Sequence, residues 1–105
     1  MNKYTELSDF EINKKVAENL KLNTIAYERT EIVLFDDMDA TPFDPCNNPT
    51  DAMPIINEYG ISLIYQDRKF QFATNDGNIE CCIANPIKAA MIIFLCMKDA
   101  ENEKV

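Results

Sequence analysis

Ile61-Ser62-Leu63-Ile64-Tyr65-Gln66-Asp67-Arg68-Lys69-Phe70-Gln71-Phe72-Ala73-Thr74-Asn75-Asp76-Gly77-Asn78-Ile79-Glu80-Cys81-Cys82-Ile83 decides the fold. Ile61, Leu63 and Tyr65 alternate with polar or smaller residues, and Phe70 and Phe72 alternate with Lys69 and Gln71. A period of two marks a strand with one buried face. Asp67-Arg68 makes a tight connection. Asp76-Gly77 suits a type I′ hairpin turn, which requires positive φ at both central residues. Three strands follow, at 61–66, 69–74 and 79–83, arranged as an antiparallel meander.

Upstream, Ser8 reads as an N-cap and Glu11 completes a capping box, with Leu7 placed to staple onto Ile12. Ile12, Val16 and Leu20 recur every four residues and give one apolar stripe, so an amphipathic helix is expected over 9–20. The run at 31–35, Glu-Ile-Val-Leu-Phe, is β-branched and aromatic and reads as a fourth strand on the edge of the meander. Asn23 to Tyr27 is ambiguous. Downstream, Asn85 caps a last helix with Pro86 at its first position. Ile87, Ala89, Ala90, Met91, Ile92, Ile93, Phe94, Leu95, Cys96 and Met97 follow, interrupted only by Lys88. A helix without a polar face must be covered on several sides. The meander covers one. The rest falls to the first helix, the proline-bearing loop or a second copy of the chain. Met91, Ile92, Ile93, Phe94, Leu95 and Met97 are therefore core residues or the seam of a homodimer. The expected fold is α+β: a meander of three or four antiparallel strands packed against an N-terminal amphipathic helix and a buried C-terminal helix. It forms one domain over 1–105, frayed at 1–5 and 99–105.

Between the two halves lies Phe43-Asp44-Pro45-Cys46-Asn47-Asn48-Pro49-Thr50-Asp51-Ala52-Met53-Pro54-Ile55-Ile56. Its prolines bias the preceding residues away from helix, and Asp and Asn form turns between them. A stiff, shaped loop on a rigid scaffold is a natural place for function. Two readings compete over 49–59: Asn48 caps a short helix with Pro49 at its first position, or a first turn ends near Met53 and a new helical turn begins at Pro54. Because Pro54 would damage a helix interior, the second is favoured, with a stop at Gly60. Phe43, Met53 and Tyr59 are the candidate apolar anchors, with Asp44, Asn47, Asn48 and Asp51 as polar contacts.

Composition narrows the chemistry. The chain has 105 residues, 47% of them hydrophobic and 27% charged, with a net charge of −8 and no histidine. That removes the usual neutral-pH base and the commonest metal ligand. Two glycines cannot build a Rossmann or Walker loop. The acidic balance argues against nucleic-acid binding, and its spread along the chain reads as solubility. Asp36, Asp37 and Asp39 read as a solvated turn rather than a cation site, because the calcium-loop pattern is missing. The four cysteines contain no C-x-x-C pair; no metal and no cofactor is expected. Met1 to Glu6 lacks the apolar core of a signal peptide. The apolar run 89–97 falls far short of the ~20 residues that span a bilayer. A cytoplasmic protein with reduced thiols and no membrane partner is expected. Asp44 beside Cys46 opposes thiolate formation, so the expected protein is not an enzyme.

Two stretches in this order, Asn48-Pro49-Thr50-Asp51-Ala52-Met53-Pro54-Ile55-Ile56 and Asn85-Pro86-Ile87-Lys88-Ala89-Ala90-Met91, resemble the NinX-like family of small bacteriophage and prophage proteins. The opening Leu7-Ser8-Asp9-Phe10-Glu11-Ile12-Asn13 is also similar to some relatives. Many members carry tryptophan beside the loop aspartate where this chain has Ala52 and Met53, so no role of that tryptophan carries over. The resemblance implies an accessory protein acting in the cytoplasm of the bacterial host, with no assigned activity. Three functions fit. The chain binds or inhibits a host factor through the loop and its acidic face. Alternatively, a homodimer sequesters a small nucleotide-type ligand, with Arg29, Arg68, Lys69 and Lys88 as phosphate contacts. As a third, it is a structural or regulatory phage component without a ligand.

Overall fold

A computed structural model describes residues 3–103. The elements run α1 (Asp9–Asn19), β1 (Thr24–Tyr27), β2 (Ile32–Phe35), α2 (Pro49–Tyr59), β3 (Ser62–Gln66), β4 (Lys69–Asn75), β5 (Ile79–Cys81) and α3 (Pro86–Glu103). This is an α+β fold with two antiparallel sheets, β1-β2 and β3-β4-β5.

The meander forms as the alternation dictates. Gln66 pairs with Lys69 across a two-residue turn, with Asp67 at φ 53° and Arg68 at φ 67°. Asp76 (φ 53°) and Gly77 (φ 80°) make the second turn. Positive φ at both central residues matches the right-handed strand twist. The Thr74 hydroxyl braces this turn, donating to the Ile79 carbonyl (2.7 Å) and accepting from the Gly77 amide (3.0 Å). Ile64 pairs with Phe72 and Tyr65 with Phe70, so Gln71 is the extra residue of a β-bulge.

The fourth strand lies elsewhere. The run 31–35 was expected on the meander edge; instead β2 pairs with β1, from Thr24↔Phe35 to Tyr27↔Ile32. Closing the short segment 28–31 costs far less chain entropy than reaching a strand thirty residues away. The Glu31 amide seals the turn on the Tyr27 carbonyl (2.8 Å). The other edge of β2 is then occupied by the returning chain: Phe35 donates to the Thr41 carbonyl, Phe43 donates to the Val33 carbonyl, and Leu34 bridges Pro42.

α1 starts as the capping box requires, with both reciprocal bonds between Ser8 and Glu11 present. α2 is one helix from Pro49, capped by the Asn48 side chain on the Thr50 amide, and it ends at Gly60 in the left-handed region (φ 65°). The break expected at Pro54 does not occur. Pro54 and Thr50, whose carbonyl loses its i+4 donor, are both exposed, so water can replace the missing bond.

In α3 the Asn85 carbonyl oxygen accepts from the Ile87 and Lys88 amides (3.1 and 3.3 Å). Ala89 to Leu95 are 0–1% exposed within a single chain. The β3-β4-β5 sheet, α1 and α2 all pack against this helix, so it makes no demand for a second copy. α3 also continues through the expected frayed tail. Asp99 accepts from the Tyr4 hydroxyl (2.5 Å) and pairs with Lys3 (3.4 Å). The two ends thus hold each other, and burial together with this bond pushes the Tyr4 hydroxyl pKa well up. The expected fraying at Met1, Asn2, Lys104 and Val105 lies outside the described residues. Among the described residues no helix is long and apolar enough to cross a membrane.

Candidate functional site

The proline arch is fixed by a polar brace that joins the first turns of α1, α2 and α3. Asn13, 6% exposed on α1, is its centre. Its amide donates to Asp44 Oδ1 (2.7 Å) and its carbonyl accepts from the Cys46 amide (3.1 Å). The Asp44 amide donates to Asp51 Oδ2 (2.9 Å). Asn47 donates to Asp9 Oδ2 (3.0 Å) and to the Asp44 carboxylate (3.2 Å). Asn85 donates to the Cys46 carbonyl (2.7 Å). Lys88 pairs with Asp9 Oδ1 (2.8 Å) and donates to the Leu7 carbonyl (3.0 Å). The bond from Lys88, and then that from Asn47, hold the Asp9 carboxyl below its usual range. Buried backbone polar groups must find partners, and here side chains from three helices supply them.

This arrangement redistributes the expected binding residues. Phe43 is 4% exposed and stacks edge-on against Phe35 (5.5 Å between ring centres), so it packs into the core rather than standing out as an anchor. Asp44, Asn47, Asn48 and Asp51 share the brace and the α2 cap. Tyr59 packs edge-on against Phe94 (4.9 Å), with Lys98 over its ring (5.0 Å). Met53 alone of the expected anchors is exposed. The four expected phosphate contacts are not brought together: Arg29 is on the β1–β2 turn, Arg68 is on the β3–β4 turn with Lys69 opening β4, and Lys88 is neutralised by Asp9. Burial, followed by the nearby Asp9 carboxylate, raises the Cys46 thiol pKa strongly, so the thiol stays protonated. Asp37 Oδ1 accepts from the Asp39 and Ala40 amides (3.1 and 2.8 Å), closing the turn after β2.

The concave surface beside α1 is acidic. A cleft of about 420 Å³ between α1 and the β1–β2 turn is lined by Glu11, Lys14, Lys15, Glu18, Glu28 and Glu31, among others. A smaller one of about 230 Å³ runs on past Glu31 and Ile32 to Phe43, Asp44 and Asn47.

An apolar surface lies on the hairpin beside these clefts, apart from the exposed Met38, Met53, Ile64 and Tyr65. Directly paired residues of an antiparallel ladder point to the same face. The pairs Ile25↔Leu34 and Tyr27↔Ile32 therefore share one face, and Thr24, Ala26, Val33 and Phe35 share the other. Val33 and Phe35 pack into the core. Ile25, Tyr27 and Ile32 are 41%, 46% and 42% exposed. This face escaped the sequence reading because Asn23–Tyr27 showed no clear period; the alternation Ile25, Tyr27 was the available signal. Asn13 also escaped, since its position beside Ile12 gives no sign of a partner thirty residues away.

No curated protein and no solved structure matches the chain. Residues 3–98 match the family described as Bacteriophage P22, NinX. That match spans nearly the whole described chain, and the protein belongs to the bacteriophage P22 NinX family.

Proposed function

We propose that this phage accessory protein is a non-catalytic binding module that engages a host protein in the bacterial cytoplasm through the outer face of its β1–β2 hairpin. Family membership supports the phage origin. The single observation that carries the binding reading is that outer face, where three large apolar side chains stand more than 40% exposed on a sheet only two strands wide. Clustered exposed apolar residues beside polar ones are the usual mark of a protein contact. Ligand capture has less support. Carboxylates dominate the concave lining and would repel phosphate.

A photo-cross-linking residue in place of Tyr27, with a second at exposed Thr50 on α2 as control, tests this in host cells producing the protein. Adducts to a host protein at position 27 and not at position 50 are expected. Equal labelling at both positions, or none at 27, refutes the reading.

A further inference from the structure

The turn between β4 and β5 carries a chemically labile pair, Asp76-Gly77. An aspartate carboxyl can close an imide ring with the backbone nitrogen that follows it. Glycine places no side chain in the way of that nitrogen. A Cβ built on Gly77 would meet nothing within 4 Å, so neighbouring groups do not shield it either. Asp76 is exposed. Ring closure forms a bond from the Gly77 nitrogen to Asp76 Cγ. The C–OH bond of the protonated carboxyl breaks, and its hydroxyl leaves as water with the amide proton. Water then opens the succinimide. Attack at Cγ restores aspartate. Attack at the main-chain carbonyl breaks the bond from that carbon to nitrogen and leaves the chain running through Cβ and Cγ as isoaspartate. The product is an isomer of the starting chain, and water is the only co-reactant.

The folded geometry opposes this reaction. Asp76 lies in the left-handed region at φ 53°, where ψ is about 47°. The Gly77 nitrogen then stands nearly opposite Asp76 Cβ across the Cα–C bond, whereas closure needs the two nearly eclipsed. Thr74 blocks the rotation between these arrangements. It is 6% exposed, one of few buried polar side chains. Its hydroxyl accepts from the Gly77 amide (3.0 Å) and donates to the Ile79 carbonyl (2.7 Å), tying the reactive nitrogen to the start of β5. The Asn78 amide closes the same turn on the Asn75 carbonyl (2.9 Å). Turning the Asp76–Gly77 peptide toward Cγ breaks the bond to Thr74.

We propose that Asp76 is a site of spontaneous isoaspartate formation that the fold holds dormant, with the Thr74 hydroxyl as its latch. The reaction runs from the locally opened turn, so its rate follows how often the turn opens. The structural consequence falls on β5, a strand of three residues, Ile79–Cys81. Isoaspartate adds one atom to the backbone inside a tight turn. The pairs Asn75↔Ile79 and Thr74↔Glu80 then lose their register. Cys81, 3% exposed where β5 packs against α3, is displaced with them. The pair is thus a point at which the hairpin ages, and Thr74 sets the pace.

The test ages the full chain in neutral buffer and locates isoaspartate by digestion, chromatographic separation and electron-transfer fragmentation. Isomerisation leaves the peptide mass unchanged, whereas deamidation of Asn75 or Asn78 raises it, so the two signals separate. The same chain unfolded in guanidinium gives the unguarded rate. The folded wild type should isomerise at Asp76 at least about tenfold more slowly. Thr74→Val keeps the side-chain outline and removes both hydrogen bonds. Each is worth a factor of about two to ten in the population of the open turn. Isomerisation should therefore rise at least about fivefold, and hydrogen exchange of the Gly77 amide should quicken with it. Thr74→Ser keeps the hydroxyl and should age like the wild type. Asp76→Glu, which would need a larger ring, should give no isomer at that position. Equal rates in the folded and unfolded wild type overturn the inference. So does a folded Thr74→Val chain that ages at the wild-type rate, or a Thr74→Ser chain that ages as fast as Thr74→Val. Should Thr74→Val fail to fold, exchange of the Gly77 amide in the wild type decides: protection despite its exposed position supports the latch, and exchange as fast as in the unfolded chain overturns it.

Discussion

Replacing Asn13 with leucine removes the centre of the brace while keeping a γ-branched side chain of similar outline. The buried Cys46 amide loses its acceptor at 3.1 Å. An unsatisfied buried donor costs about 1–3 kcal/mol. Asp44 loses its 2.7 Å donor but is only half-buried and keeps Asn47. Solvent screening reduces that loss to about 0.5–1 kcal/mol. Leucine returns about 0.5 kcal/mol through its higher helix propensity. The net destabilisation is about 1–3.5 kcal/mol, a large share of the roughly 5–15 kcal/mol that holds a domain of this size. Urea unfolding reads this as a lower midpoint at unchanged slope, and native-state proteolysis should gain a cut between residues 44 and 48. A variant within about 0.5 kcal/mol of wild type, the range of ordinary surface changes, would show that the arch stands without its brace.

The Asp9 carboxyl has a lowered folded pKa, so the stability it contributes is fully present above its ordinary value of 3.8 and is lost as pH falls through the folded value. The gap in stability between wild type and Asp9→Asn should therefore narrow as pH drops from about 5 to about 2; a gap constant with pH would contradict this. Ile93→Asp places a charge at a fully buried site among sheet and helices, which is far costlier than the fold can absorb, so circular dichroism should show loss of cooperative melting; a sharp wild-type transition would sink the packing described for α3. Cys82 is exposed, whereas Cys46 and Cys81 are buried with thiol pKa values raised by burial. A thiol reagent should thus modify Cys82 in the native protein at least about tenfold faster than either buried thiol, with peptide mapping as the readout and comparable rates as the refutation.

Expected and observed structure agree where a few neighbouring residues carry the whole signal. Ser8 with Glu11, Asn85 with Pro86, and Asp76 with Gly77 each act through hydrogen bonds or backbone angles within one turn. They start α1 and α3 and fold the second hairpin as anticipated. The apolar stretch in α3, interrupted only by Lys88, likewise announced burial on several sides. What covers it was open, and packing supplied α1, α2 and the meander from the same chain.

The discrepancies concern the surroundings of an element more than its own residues. Pro54 stays inside a helix because its surroundings leave the Thr50 carbonyl wet. Asp99 lies within α3, and Tyr4, ninety-five positions earlier, donates to it. β2 joins β1 across the short segment 28–31, and residues 41–43 take its second edge. The arch, legible from its prolines as stiff, proved to be held by a brace in which its polar groups bond to one another and to α1 and α3, and an apolar face turned outward on the short hairpin beside it. Local propensities fix caps, turns and periodicity through interactions of neighbouring residues. Which face of each element meets solvent depends on how distant segments close over one another, and pairing energies of that kind leave no periodic trace in the chain.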